Sequence, residues 1–360
     1  MTKRLPFPRL PLYWNKINKL MEKYEVIIIG AGPAGLNAAK ILGEAGKSVL
    51  ILEKNAEIGP KICAGGLTRK SIQYLNLPES IIDYKYNEIF FNSPRVRTRI
   101  NFGETFFYTI DRKNLGAWQL QKLGHNVTVR TSSHVGKIEK DYLIINDQEK
   151  IGFEFLIGAD GSNSVVRRFL KIKTRLAGVA VQYKLPLGDF PDFEIFLNSK
   201  FFSSWYSWIF PHRDHISIGY GYPQKVFSPL IAQKKFEAWA KERNISLENV
   251  PREVFLINCD YRGWKFGNIF LAGDAAGLAD GFTGEGIYQA LVSGEDIAKT
   301  ILDPRHKARK IHAALRDKYL HEAMLVVVII LWPVRNILFN FITWAVGKRI
   351  IGRTLIRILT

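Results

Sequence analysis

The feature that most constrains this 360-residue chain is a glycine spacing, Gly30-Ala31-Gly32-Pro33-Ala34-Gly35, set between a short apolar run and a helical pattern. Residues 25–29 read as a buried parallel strand, 34–44 as a helix and 48–52 as a second strand, which together make one β-α-β unit. Gly30, Gly32 and Gly35 permit a tight turn and let backbone N–H groups approach a pyrophosphate. The helix that opens at Ala34 stabilises that charge with its N-terminus. Glu53 closes the second strand, followed by Lys54, where a carboxylate can accept hydrogen bonds from an adenosine ribose. These features in this order specify a dinucleotide site, without separating FAD from NAD.

Two later segments make that choice. Gly158-Ala-Asp160-Gly161 follows a strand at 155–157, and Gly273-Asp274-Ala275-Ala276-Gly277 follows another at 269–272. They resemble the Asp-Gly and Gly-Asp motifs of the p-hydroxybenzoate hydroxylase-like flavoproteins. The resemblance implies FAD, with Asp274 on the ribityl chain and the helix starting at Gly286 and Ile287 pointing its N-terminus at the flavin, where it would stabilise a reduced, anionic ring. Asp111-Arg112 is a further match, with Arg112 near the cofactor. Between these motifs, strands are expected over 87–101, 104–110, 126–130 and 142–146, helices over 114–123 and 226–243, and strand-rich aromatic sequence over 176–221. A long helix follows over 286–301.

Two shorter motifs narrow the family. Lys61-Ile-Cys63-Ala64-Gly-Gly66-Leu-Thr and Trp205-Tyr206-Ser-Trp208-Ile-Phe210-Pro211 together resemble the geranylgeranyl (prenyl) reductases, over roughly residues 24–303. That resemblance implies an α/β fold: a glutathione-reductase-type, Rossmann-like FAD domain (24–84, 105–170 and 266–303), an inserted antiparallel β-sheet substrate domain (85–104 and 171–265) and a C-terminal helical segment (304–360) behind a basic extension (1–23). It also implies that Cys63, Ala64, Gly66 and Val135 contribute to the cofactor site, that Cys63, Tyr206 and Trp208 serve catalysis, and that Tyr206, Trp208, Phe210 and Pro211 line the substrate channel. The reaction implied is saturation of C=C bonds in a prenyl chain by hydride from reduced flavin, with NADPH or a ferredoxin-type carrier as the external reductant. From the residues alone, Cys63 also reads as a small buried hydrophobe and the alternating rings as an aromatic core. A flavin monooxygenase and an inactive flavin-binding protein at a membrane surface are the rival functions. Gly281 stands where the family commonly has proline, which should loosen the flavin-side loop 280–286. His212 and His215 lack metal-ligand spacing and read as surface histidines, so no metal is expected.

The formal charge of +18 would suggest nucleic acid if it were spread over the body. Instead, residues 1–23 carry six Lys/Arg against Glu22, and residues 304–360 carry eleven against Asp317 and Glu322. The C-terminal charge flanks apolar runs at 323–334 and 337–346. Neither run approaches the roughly 20 residues of a membrane span, and fusing them would bury Arg335 mid-bilayer at about +2.5 kcal/mol or more. An interfacial segment drawn to anionic lipid is expected, with a helix pair buried against the protein's own core as the alternative. Pro6, Pro8 and Pro11 break up any secretory signal, and either Met1 or Met21 could be the start. Two cysteines, Cys63 and Cys259, exclude a disulfide framework and fit a reducing compartment. The expected place is cytoplasmic, peripheral on the membrane, with an isoprenoid lipid as substrate, an electron-donor protein as a further partner and no nucleic acid.

Overall fold

A computed structural model describes residues 21–188, 190–348, 351–352 and 354. The basic extension up to residue 20, with Arg349, Arg353 and Arg357, therefore lies outside the described residues. The glycine turn joins the strand Glu22–Ile29 to the helix Pro33–Glu44, and Gly30 takes φ +101°, a left-handed conformation that disfavours any side chain. Five strands run parallel in the order Ile269–Leu271, Glu149–Gly158, Glu22–Ile29, Val49–Leu52, Val127–Arg130. Their central residues, such as Ile27, Leu50 and Leu156, are fully buried in one core with the helix Pro33–Glu44 and the strand residues Val135, Ile138 and Leu143, as the unbroken apolar runs require. The strand expected only at 155–157 begins at Glu149, because Tyr142–Ile145 pairs with its first half in an antiparallel meander. The first strand likewise starts at Glu22 rather than 25, since pairing to Glu149–Gly158 extends it.

A second sheet runs Glu253–Asn258, Ala177–Leu185, Ile216–Pro223, Tyr206–Pro211, Glu194–Leu197, Glu88–Asn92, Arg97–Asn101. The single strand expected over 87–101 is thus a hairpin, turned where Ser93 N–H donates to the Val96 carbonyl. One face of this sheet packs Tyr220 and Tyr183 on Phe236 and Trp239 of the helix Pro229–Lys241. The opposite face carries Tyr206, Trp208 and Phe210, following the two-residue period of a strand. Trp208 can lie flat because Gly219 sits beneath it; a Cβ there would come within 2.3 Å of the indole. A third sheet of Gly66–Thr68, Phe107–Ile110 and Ile82–Tyr86 is tied to the second where Tyr86 and Thr109 donate to the Pro211 carbonyl; of its strands only Phe107–Ile110 falls within an expected one.

The helix Ile287–Leu302 is tied to the C-terminal helix Arg309–Ile330 through two acids. Asp296 accepts from His306 and from the Ile311 N–H, both at 2.8 Å, and Glu295 pairs with Lys310 at 2.7 Å. Burial opposes ionisation of Glu295, but hydrogen bonds from Lys299, Lys310 and Tyr74 outweigh it and pull its pKa down to about 2. A depressed carboxylate adds stability above its ordinary titration range and loses it as pH falls through the folded value. Between pH 4.5 and 2 the native protein should therefore lose stability more steeply than Glu295→Gln, as read by urea unfolding at a series of pH values.

Candidate active site

The glycine turn, the segment 61–68, the aromatic face of the second sheet and the start of the helix Ile287–Leu302 converge on one cavity of about 340 Å³. Gly32, Ala34, Cys63, Ala64, Gly66, Arg112, Asp274, Gly286 and Ile287 line it, and so do Tyr206, Trp208 and Phe210. Gly30, Gly35, Glu53 and Asp160 stand behind that wall. Glu53 accepts from the Ala31 and Asn55 N–H groups, both at 2.9 Å, and so braces the turn itself. Lys54 is exposed and Val135 is a core residue of the first sheet; neither lines the cavity. Pro211 is also absent from the wall. Its carbonyl accepts from Tyr86 and Thr109, so it serves the scaffold beneath the channel.

The polar end of the cavity fits FAD. Arg112 lines this end and its Nε is buried with no hydrogen-bond partner among the described residues, which calls for a ligand or water there. Asp111 caps the helix Arg112–Leu120 through the Lys113 and Asn114 N–H groups and thereby places Arg112 at the wall. Burial pushes the Asp160 carboxyl above the ordinary range, although the Val165 N–H donates to it at 2.6 Å. Two helices begin here, at Gly32 and Gly286, with no side chain capping either, so their free N–H groups are left for an anion. A Cβ on Gly32 would meet nothing closer than 4.0 Å, so the turn is open on that side. Asp274 is held by Lys61 at 3.2 Å and by Ser162 at 3.4 Å.

The loop 280–286 is not loose despite Gly281. The Asp280 carboxylate accepts from the Phe282 and Thr283 N–H groups, both at 2.8 Å, and meets His321 Nδ1 at 2.6 Å. Lys318 donates to the Ala279 carbonyl at 2.8 Å. These ties from the C-terminal helix do the work expected of a proline, and they join residues about forty apart. Burial opposes ionisation of Asp280, but His321 and the loop N–H groups hold its carboxyl below the usual range. Glu285 lines the cavity between Thr68 and Lys70, and burial pushes its carboxyl upward.

His212 corrects the sequence expectation most clearly. It is buried, not superficial: Nδ1 faces Asp83 at 3.0 Å and Nε2 faces the Ala64 carbonyl at 2.9 Å. Both ring nitrogens thus face acceptors, and the imidazole pins the residue next to Cys63 to the third sheet. No local signal marked this pair, because Asp83 and His212 are 129 residues apart. No group of His, Cys, Asp or Glu among the described residues is arranged to hold a metal.

The sequence profile of the FAD binding domain family matches residues 23–77. A digeranylgeranylglycerophospholipid reductase of Methanosarcina acetivorans is 30% identical over 305 residues, covering 76% of this chain and 73% of the relative. The chain belongs to the geranylgeranyl reductase family. A geranylgeranyl diphosphate reductase of Rhodobacter capsulatus is 26% identical over 303 residues, covering 78% of this chain and 75% of its own. Among solved structures, a geranylgeranyl bacteriochlorophyll reductase-like protein of Thermoplasma acidophilum superposes with a TM-score of 0.76 at 18% identity, over 91% of this chain and 92% of the other. The p-nitrophenol 4-monooxygenase of Pseudomonas putida shares the fold with a TM-score of 0.71 at 16% identity, over 94% and 98%. This member of the reductase family is therefore an FAD-dependent oxidoreductase.

Two outcomes follow from this geometry. Cys63 is half-buried at the cavity wall, whereas burial pushes the Cys259 thiol up to about 12. In FAD-free protein, iodoacetamide should alkylate Cys63 and spare Cys259, and added FAD should protect Cys63, as mapped by peptide mass spectrometry. Asp83→Ala removes the partner that orients His212; it should lower stability by about 1–3 kcal/mol and weaken FAD binding, as read by thermal unfolding and flavin-fluorescence titration.

Proposed function

We propose that this protein saturates C=C bonds in geranylgeranyl or longer polyprenyl chains carried by a lipid, a quinone or a prenyl diphosphate. The observation that carries the reading is a single cavity whose polar end suits FAD and whose other end is walled by Tyr206, Trp208 and Phe210. The relatives named as digeranylgeranylglycerophospholipid and geranylgeranyl diphosphate reductases support it.

Reduced FAD, when bound, supplies a hydride to one alkene carbon. An isolated alkene offers no group that stabilises developing negative charge, so the protein must work by positioning and by excluding water. Trp208 is fixed for this by its indole N–H, which donates to Ser217 Oγ at 3.1 Å, and Phe210 stacks on Phe193 at 3.8 Å. Tyr206 donates to the Thr283 carbonyl at 2.5 Å and so couples the aromatic wall to the flavin-side loop. Cys63 shapes the pocket beside the cofactor. Glu285, a carboxyl at the cavity wall between Thr68 and Lys70, is the group to which we assign the return of a proton to the second carbon. The external reductant in this reading would be NADPH or a ferredoxin-type protein. The enzyme works in the cytoplasm, peripherally on the membrane that holds its substrate.

A host making the protein, given a reductant, should accumulate prenyl lipids heavier by pairs of hydrogens, as measured by lipid mass spectrometry. Cys63→Ala and Trp208→Ala should each lower that conversion. Unshifted lipids despite full FAD occupancy would overturn the reading, and products heavier by oxygen would assign the monooxygenase chemistry instead.

A further inference from the structure

The helix Arg335–Val346 is apolar on two sides. Phe339, Ile342 and Val346 face inward and line the cavity, with Phe339 and Val346 almost fully buried. Ile337, Phe341 and Trp344 face outward, exposed by 69%, 60% and 51%. Both sets follow helical spacing, so a single helix separates the aromatic cavity from the exterior. The helix before it contributes Val328 to the same wall, while Val326 and Ile330 next to it are exposed, as is Trp332 in the turn between the two helices. Exposed large apolar side chains grouped on one face mark an interaction surface.

Arg335 holds the corner between the two helices. Its guanidinium donates to the Val328 and Ile329 carbonyls at 2.8 and 3.2 Å and to Ser203 Oγ at 3.2 Å. It thereby satisfies carbonyls that the end of the first helix leaves free. The charge that interrupts the apolar sequence is thus turned inward, and the outer face stays apolar across the corner.

The surroundings of this face indicate its occupant. From Ala323 to Lys348 the sequence contains no Asp or Glu. Lys348 lies 4.9 Å over the Trp344 ring at the end of the helix, and exposed Arg95 is joined to the same helix through its N–H to Asn340. Tryptophan with lysine at the margin of an apolar face suits the boundary between acyl chains and anionic headgroups. A second copy packed across a two-fold axis would instead bring these like charges together. No helix among the described residues is long and apolar enough to cross a membrane, so the face would lie on the bilayer.

We propose that this face docks on an anionic bilayer and that the prenyl chain passes from the bilayer into the cavity past the helix Arg335–Val346. The passage rests on the reading of the cavity as a prenyl site; the docking does not. The double variant Ile337→Glu/Phe341→Glu alters two exposed side chains one turn apart and should keep its FAD. The native protein should co-sediment with vesicles of equal parts phosphatidylcholine and phosphatidylglycerol, and the variant should lose about tenfold or more in binding, as should the native protein in high salt. A geranylgeranyl lipid carrying a diazirine, placed in those vesicles and irradiated, should label Phe339, Ile342 or Val346 in the native protein and none of them in the variant. The variant should still reduce a short, water-soluble prenyl diphosphate at the native rate.

Equal vesicle binding by native protein and variant would overturn the docking. So would a native dimer that the variant dissociates while neither binds vesicles. Labelling confined to Ile337, Phe341 and Trp344 would overturn the passage. Absence of any alkene reduction by the native protein would count against the proposed reaction alone, because sedimentation and labelling do not depend on turnover.

Discussion

The structure depends on a backbone contact too close for side chains. A Cβ on Gly35 would lie 2.1 Å from the Gly30 carbonyl oxygen, one on Gly30 would lie 2.4 Å from the Ala159 oxygen, and one on Gly294 would lie 2.3 Å from the Ala34 oxygen. Four elements therefore meet there at backbone distance: the first strand, the first helix, the end of the strand Glu149–Gly158 and the helix Ile287–Leu302. This contact brings Asp160 and Asp274 behind the same turn and aims two helix N-termini at one place. The polar half of the cavity follows from that packing.

The apolar half is built differently. It uses one face of a mostly antiparallel sheet, with one parallel pair between Glu194–Leu197 and Glu88–Asn92, whose other face is sealed by Phe236 and Trp239, so the alternation within Tyr206–Pro211 decides which rings remain for the cavity. The two halves meet at the segment around Cys63, pinned from below by His212 and Asp83, and at the loop 280–286, held by Tyr206 on one side and by His321 and Lys318 on the other. The C-terminal helices thus do more than cover the cavity. Through Lys318 and His321 they fix the loop expected beside the flavin, and through Phe339 and Ile342 they form part of the wall around the aromatic end.

Local patterns carried the reading of the sequence furthest where function depends on spacing along the chain. The glycine turn, the acid at position 53, the Asp-Gly and Gly-Asp segments and the alternating rings are all short-range signals, and each lies at or behind the cavity wall. Lys54 follows the acid that braces the turn and Pro211 follows a ring of the wall, yet neither lines the cavity, and Val135 packs into the core of the first sheet. Gly281 misled for a related reason: a glycine seen alone predicts a loose loop, whereas two side chains from a helix about forty residues away restrain it.

The sequence by itself determined the dinucleotide turn and the amphipathic, basic character of the C-terminal end, because glycine geometry, helix dipoles and hydrophobic period act within a few residues; the flavoprotein class was legible through the resemblance of the segments at Asp160 and Asp274 to known motifs. Only the tertiary structure decided that His212 is buried against Asp83, that Arg335 turns inward to hold a corner, and that one helix carries both a cavity face and an outer apolar face. Those outcomes join segments more than a hundred residues apart or depend on what packs against each side, and no local pattern encodes either.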